Sequence, residues 1–193
     1  MLDNLKNYNI VLASKSPRRQ ELLKGIGLDF SILTKEVDEN YPSRLPLIDV
    51  APFLSLKKAK AFDDAELPDN YMIITADTVV IVDNEILGKP KNSDDAVRML
   101  QLISGKVHKV VTGVTVHTKK KTKTFSVTSK VAFEKLDNQE IKYYIDNFKP
   151  YDKAGAYGVQ DWIGYIGVSN VEGSYYNVMG LPTQRLYKVL KEF

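Results

Sequence analysis

Asn9-Ile10-Val11-Leu12-Ala13-Ser14-Lys15-Ser16-Pro17-Arg18-Arg19-Gln20-Glu21-Leu22-Leu23-Lys24-Gly25-Ile26-Gly27 decides the fold class. Asn9 to Ala13 is a short apolar run that predicts a buried strand. Ser16 is a suitable N-cap, and Pro17 suits a first helical turn, where its missing N–H costs nothing. Leu22, Leu23 and Ile26 then share one helical face, and Gly25 and Gly27 end the helix. Strand, polar loop and capped helix make an α/β unit.

The pattern continues outward. Asp29 to Thr34 predicts a second strand, and Pro46 to Phe62 a helix with Leu47, Val50, Leu54 and Ala61 on one side. Tyr71 to Val82 is the clearest strand, rich in β-branched residues and broken by Asp77. Ser93 is placed to cap a helix whose apolar face is Ala96, Val97, Leu100 and Ile103. Val107 to Thr118 and Thr124 to Phe133 flank Lys119 to Lys123, which reads as a long hairpin. Asp137 and Glu140 have capping-box spacing ahead of Ile141, Tyr144 and Ile145. Leu186, Val189, Leu190 and Phe193 follow the period of a closing helix. Strands and helices alternate without a Pro/Gly-rich linker, so residues 1–193 are expected to form a single α/β domain.

Composition narrows the function. Apolar residues are 44% of the chain and charged residues 26%, which excludes a disordered chain, a coiled-coil rod and a collagen repeat. The net charge of +3 is too small for nucleic-acid binding by bulk charge. With no cysteine, disulfides, thiolate zinc sites and a cysteine nucleophile are excluded. The longest apolar run near the amino terminus is Ile10 to Ala13. A secretory signal needs about 7–15 such residues and a membrane span about 18, so the expected location is the cytoplasm.

Three segments carry chemistry. Ser14 to Arg19 sets two serines and two arginines at a helix amino terminus, whose N–H groups and dipole favour anions such as a polyphosphate. A solvated, capped surface helix is the competing reading. The segment is not a Walker loop, and no Gly-x-Gly-x-x-Gly motif occurs. Asp77 sits inside a run expected to be buried, so its carboxylate must meet a cation, a metal or a ring of donors. Asp38 and Glu39, brought beside it, would make a hard oxygen cage suited to Mg²⁺ or Mn²⁺. Lys89, in the Gly88-Lys89-Pro90 turn, could aim an ammonium into a cleft, whereas at most one or two of Lys57, Lys58 and Lys60 can. The third segment is Asp152 to Gln160, whose small residues allow close backbone approach and whose Tyr157 and Gln160 could hold a planar base. Lys119-Lys120-Lys121 with Lys123 reads as a solvated hairpin tip. His108 and His117 have no partner histidine for a metal, and the Tyr143-Tyr144 and Tyr175-Tyr176 pairs read as packing.

Taken together, these segments resemble the Maf family of nucleotide pyrophosphatases. The resemblance rests on Ser14-x-Ser16-Pro17-Arg18-Arg19-x-Glu21-Leu22-Leu23, Asp38-Glu39, Lys58-Ala59, Ala76-Asp77-Thr78-Val79, Gly88-Lys89-Pro90 and Thr112-Gly113. Asp152 to Gln160 and Asn177-Val178-Met179-Gly180-Leu181-Pro182 complete it, in order along the whole chain. It implies an elongated α/β fold of the inosine-triphosphate pyrophosphatase type: a central mixed sheet flanked by helices, with two lobes around a cleft. It also implies divalent-metal-dependent hydrolysis of a nucleoside triphosphate between the α and β phosphates. A role in cell division is implied as well, since the family was linked to septum formation.

By motif, Asp77 resembles the catalytic acceptor that works with the metal, and Glu39 a further acidic catalytic and metal-holding residue. Ser14, Arg19, Lys58 and Lys89 match phosphate-contacting positions. Arg18, Thr78 and Gln160 match the dTTP/UTP branch; the 7-methyl-GTP branch has other residues there, among them Trp for the first arginine. A glutamine amide offers a donor and an acceptor to the O4/N3 edge of uracil or thymine. Lys15 and Trp162-Ile163-Gly164-Tyr165 depart from the family pattern. The expected partner is the nucleotide, with no nucleic acid and no membrane, and a homodimer is left open. A nucleotide-binding regulator without turnover and a nucleic-acid domain built on the lysine hairpin are the rival readings. The acidic set favours the enzyme, since an anion-binding module has no need of it.

Overall fold

The computed structural model describes residues 2–193. Seven strands form its sheet: β1 (Asn9–Leu12), β2 (Ser31–Ile32), β3 (Tyr71–Val82), β4 (Glu85–Leu87), β5 (Val107–His117), β6 (Thr122–Phe133) and β7 (Val168–Glu172). Their order is β2-β1-β3-β5-β6-β7, with β4 added on β3. β1 pairs in parallel with both β2 and β3, whereas β3–β4 and β6–β7 are antiparallel, so the sheet is mixed. Helices α1 (Pro17–Gly25), α2 (Leu47–Ala59), α3 (Ser93–Ile103), α4 (Asn138–Phe148), α5 (Trp162–Gly167), α6 (Tyr175–Met179) and α7 (Thr183–Leu190) accompany it. This is the expected α/β class. No helix among the described residues is long and apolar enough to cross a membrane.

β3 is buried along almost its entire length, which is why its sequence is nearly continuously apolar rather than alternating. α4 has the predicted capping box: Asp137 accepts from the Gln139 and Glu140 N–H groups, and Glu140 reaches back to the Asp137 N–H. Other boundaries differ from expectation. β2 shrinks to two exposed residues at the sheet edge. α2 stops at Ala59, leaving Ala61 outside it. The cap of α3 is Asn92, whose side chain accepts from the Asp95 N–H, so Ser93 is the first helical residue. Phe193 lies beyond α7.

The chain groups into two compact units. The first contains residues up to Asp77, Thr112–Val127 and Gly180–Phe193. In it Val11, Leu67, Tyr71 and Ile73 form a small core cluster. The second contains Thr78–Val111 and Thr128–Met179. Its core packs Leu100 and Ile103 of α3 and Ile141, Tyr144 and Ile145 of α4 against Val80, Val110 and Val131 of the strands.

Gly113 explains part of the Thr112-Gly113 motif. A Cβ there would lie 2.2 Å from the Pro52 nitrogen and 2.3 Å from the Ala51 carbonyl carbon, so α2 rests directly on this strand backbone. Gly113→Ala should therefore force α2 off the sheet, lowering stability by about 1–3 kcal/mol or more. Thermal melting checks this, and an unchanged midpoint contradicts the close contact.

Candidate active site

A ladder of hydroxyls registers α2 on the sheet. Thr75 Oγ1 donates to the Ser55 carbonyl at 2.6 Å, and Ser55 Oγ donates to the Pro52 carbonyl at 2.9 Å. Thr115 lies 2.9 Å from Ser55 Oγ and 2.9 Å from Thr124. Because Ser55 spends its proton on Pro52, the consistent direction is Thr124 to Thr115 to Ser55. Side chains two apart on a strand share a face, as do those three apart on a helix. The Thr75–Ser55 bond thus sets the next pair, Asp77 and Lys58, opposite one another. Lys58 Nζ reaches Asp77 Oδ1 at 2.5 Å and Glu39 Oε1 at 2.8 Å. One ammonium bridges two carboxylates, and the Asp77 side chain is only 12% exposed.

β1 delivers the other arm. The Ala13 N–H donates to the Ile74 carbonyl at 2.9 Å, so Ser14 leaves the strand alongside β3. Ser14 is buried, and its Oγ accepts the Ser16 N–H at 3.2 Å. Ser16 is the N-cap of α1 with Pro17 following, as expected, but its hydroxyl makes no cap bond. Arg19 donates from Nε to the Gly180 carbonyl at 2.9 Å and from Nη1 to the Ala76 carbonyl at 2.8 Å. It therefore ties α1 to the residue preceding Asp77. Burial lowers its pKa from the ordinary value, while Asp77 and Glu39 pull it back up.

The expected three-carboxylate cage does not form. Asp38 accepts the Asn40 N–H at 3.0 Å and Lys57 at 3.2 Å, contacts that hold its carboxyl below the usual range. Its side chain shapes its own loop, an Asx-turn geometry. Among the described residues no three His, Cys, Asp or Glu side chains come close enough to hold a metal.

Thr78, Lys89 and Gln160 belong to the second unit. Lys89 is exposed, and the preceding Gly88 carbonyl accepts the Gly155 N–H at 3.0 Å, tying this turn to the segment that carries Gln160. Gln160 Oε1 is buried and has no hydrogen-bond partner among the described residues. Tyr157, expected to help hold a base, is core instead. Its hydroxyl lies 2.7 Å from His108 Nε2, and its ring packs edge-on against Phe133. Burial pushes the His108 pKa down to about 4. Asn177, from the last family motif, is also internal, donating to the Val110 carbonyl and Ser129 Oγ. At the hairpin, Lys121 and Lys123 are tied back to Glu192.

The Maf family model, described as "Maf-like protein", matches residues 9–193. The chain belongs to the Maf family. A Maf relative from Parabacteroides distasonis, named dTTP/UTP pyrophosphatase, is 50% identical over the full length of both chains. One of the same name from Porphyromonas gingivalis is 50% identical over all of this chain and 98% of its own. The Bacteroides thetaiotaomicron protein, again of that name, is 49% identical over both full lengths. This Maf chain brings Arg19, Glu39, Lys58 and Asp77 together in its first unit, where Ser14 follows β1 and Arg18 lies in α1. Sequence reasoning missed the hydroxyl ladder behind them. Its signal was the set of polar Ser55, Thr75 and Thr115 within otherwise apolar runs.

Proposed function

We propose that the chain hydrolyses dTTP and UTP to the nucleoside monophosphate and pyrophosphate. The full-length relatives of that name support the substrate class. The observation that carries the chemistry is the Asp77–Lys58–Glu39 bridge. Asp77 accepts a proton from the attacking water as its oxygen bonds to the α phosphorus. The α–β bridging P–O bond breaks, and its electron pair leaves with pyrophosphate. Lys58 moves its charge between carboxylate and phosphate, while Arg18 and Lys89 contact the polyphosphate and Ser14 supplies a hydroxyl at its end. Arg19 adds charge from its fixed place beside Ala76. These cations offset charge that develops on the phosphates in the transition state.

Two carboxylates already sharing one cation fit Mg²⁺ or Mn²⁺, which take one or two protein carboxylates and complete their shell with phosphate and water. Asp77 and Glu39 would hold such an ion. When bound, it polarises the phosphates and makes hydroxide available near neutral pH.

Gln160 is assigned to the base edge. Its unpaired Oε1 needs a donor, and N3–H of uracil or thymine is one. A screen of nucleoside triphosphates with Mg²⁺ tests the whole reading. dTTP and UTP should exceed 7-methyl-GTP, ATP and GTP in kcat/KM, with one pyrophosphate released per monophosphate. Orthophosphate as the product would overturn the cleavage position, and a best rate on 7-methyl-GTP would overturn the base assignment. Gln160→Leu should flatten the ranking by more than it alters the melting temperature.

A further inference from the structure

We propose that Tyr144 is a positioning residue for base recognition: its hydroxyl clamps the turn on both sides of Gln160. The proposal rests on the reading that Gln160 meets the base edge. Tyr144 lies in α4, fully buried, with its ring stacked on Phe148 at 5.2 Å. Its hydroxyl donates to Asp161 Oδ2 at 2.7 Å and accepts the Gly158 N–H at 3.0 Å. One hydroxyl thus holds the residue two before Gln160 and the residue directly after it.

The turn itself is tight. The Asp161 N–H donates to the Gly158 carbonyl at 3.0 Å, closing the four residues on themselves. A Cβ on Gly158 would meet the Asp161 carboxylate at 2.5 Å, so glycine is required for this approach. Asp161 is also the N-cap of α5, a position where an aspartate normally accepts from its own helix. Its side chain makes no cap bond and instead accepts the hydrogen bond of the Tyr144 hydroxyl. The local stabilisation is forgone, and a contact to a distant helix is made in its place. Lys153, whose ammonium is bonded to Asp152 at 2.9 Å, also lies 3.7 Å from the Asp161 carboxylate. Gln160 is therefore displayed from backbone fixed at both flanks.

Fixed backbone matters because an amide can read either pyrimidine. Uracil offers N3–H as a donor, whereas cytosine offers a bare N3 acceptor and an amino donor, and a glutamine free to shift could serve both. A turn held on both sides limits that adjustment, so an acceptor placed for N3–H meets a lone pair in cytosine. Discrimination of this kind comes from leaving polar groups unpaired in the wrong complex.

The experiment compares kcat/KM for UTP and CTP in wild type, Tyr144→Phe, Asp161→Ala, Gln160→Leu and the Tyr144→Phe/Gln160→Leu double variant. Tyr144→Phe keeps the ring and its stacking while removing the clamp. It should narrow the UTP-over-CTP ratio about threefold to tenfold, the worth of one or two ordinary hydrogen bonds. The change should appear in KM for UTP, with kcat largely kept. Asp161→Ala should narrow the ratio likewise, and it decides the matter if Tyr144→Phe does not fold. In the Gln160→Leu background, Tyr144→Phe should narrow the ratio no further. An equal loss for both nucleotides would mark the hydroxyl as structural and overturn the proposal. If Gln160→Leu itself leaves the ratio unchanged, the base reading is at fault and the positioning role falls with it. A collapse in Gln160→Leu with no change in Tyr144→Phe or Asp161→Ala rejects the clamp alone.

Discussion

Asp77→Asn should reduce turnover by about 10²–10⁴ while leaving the protein folded, the usual cost of removing a group that transfers a proton in the transition state. The amide matches the carboxylate in shape but has neither the charge nor the basicity to accept a proton from water. Survival of the fold follows from the bridge. Removing one partner of a close ion pair is damaging when it strands the other charge. Lys58 is not stranded here, because Glu39 Oε1 remains 2.8 Å from its ammonium. The hydroxyl ladder through Thr75, Ser55 and Thr115 does not involve Asp77, so α2 keeps its seat. The melting temperature should fall by no more than a few degrees, about the size expected for 1 kcal/mol in a chain of this length. Pyrophosphate release and thermal melting, measured on one preparation, separate the two effects. Near-normal turnover would sink the mechanism. A collapsed melting temperature would instead make Asp77 a structural residue.

What the sequence made legible was local. β3 is a run long enough, and apolar enough, that its limits coincide with Tyr71 and Val82. The Asp137/Glu140 box is chemistry within four residues, and it forms as read. β4 escaped notice because its signal is conformational. Asp83 and Asn84 both adopt positive φ, which brings Glu85 opposite Val82 in a two-residue hairpin. Asp and Asn tolerate that region better than most residues, so Val82-Asp83-Asn84-Glu85 did carry the clue. β2 was overextended for the opposite reason: an edge strand of two exposed residues has little burial to define it.

The site divides in the same way. Asp77 could be singled out from sequence because a charge in an apolar strand must be compensated. What compensates it could not, since Lys58 is 19 residues away and Glu39 lies on a separate loop. Asp38 and Glu39 are adjacent in sequence yet serve different ends, one closing its own loop onto Lys57 and the other meeting Lys58. Tyr157 looked free to stack because glycine and alanine surround it, whereas the His108–Phe133–Tyr157 cluster that buries it joins two strands and a turn. Contacts of this range depend on topology, and residue spacing carries little of that information.

Removal of divalent cations should stop hydrolysis, and added Mg²⁺ or Mn²⁺ should restore it. The expectation follows from charge. Asp77 and Glu39 draw on the single ammonium of Lys58, with Arg19 close enough that both oppose the lowering of its pKa by burial. A triphosphate arriving at this set would bring several further negative charges, more than Lys58, Arg18, Arg19 and Lys89 could offset once the carboxylates have taken their share. A hard cation entering with the nucleotide would supply the difference, and Asp77 and Glu39 are the residues that would hold it. The donor set also argues against zinc. The chain has no cysteine, His108 is buried against Tyr157, and His117 is bonded to Thr122 at 2.7 Å, so the soft and imidazole ligands zinc favours are committed or missing. Titration with EDTA, followed by return of Mg²⁺, Mn²⁺ or Zn²⁺ and detection of pyrophosphate, makes the comparison, and full activity in excess EDTA contradicts it. Because Lys58 occupies an oxygen of each carboxylate in the free protein, Mn²⁺ should bind weakly alone and more tightly with a non-hydrolysable UTP analogue, whose phosphates draw the ammonium away. Equal affinity with and without the analogue would mean that the two carboxylates hold the ion without competition from Lys58.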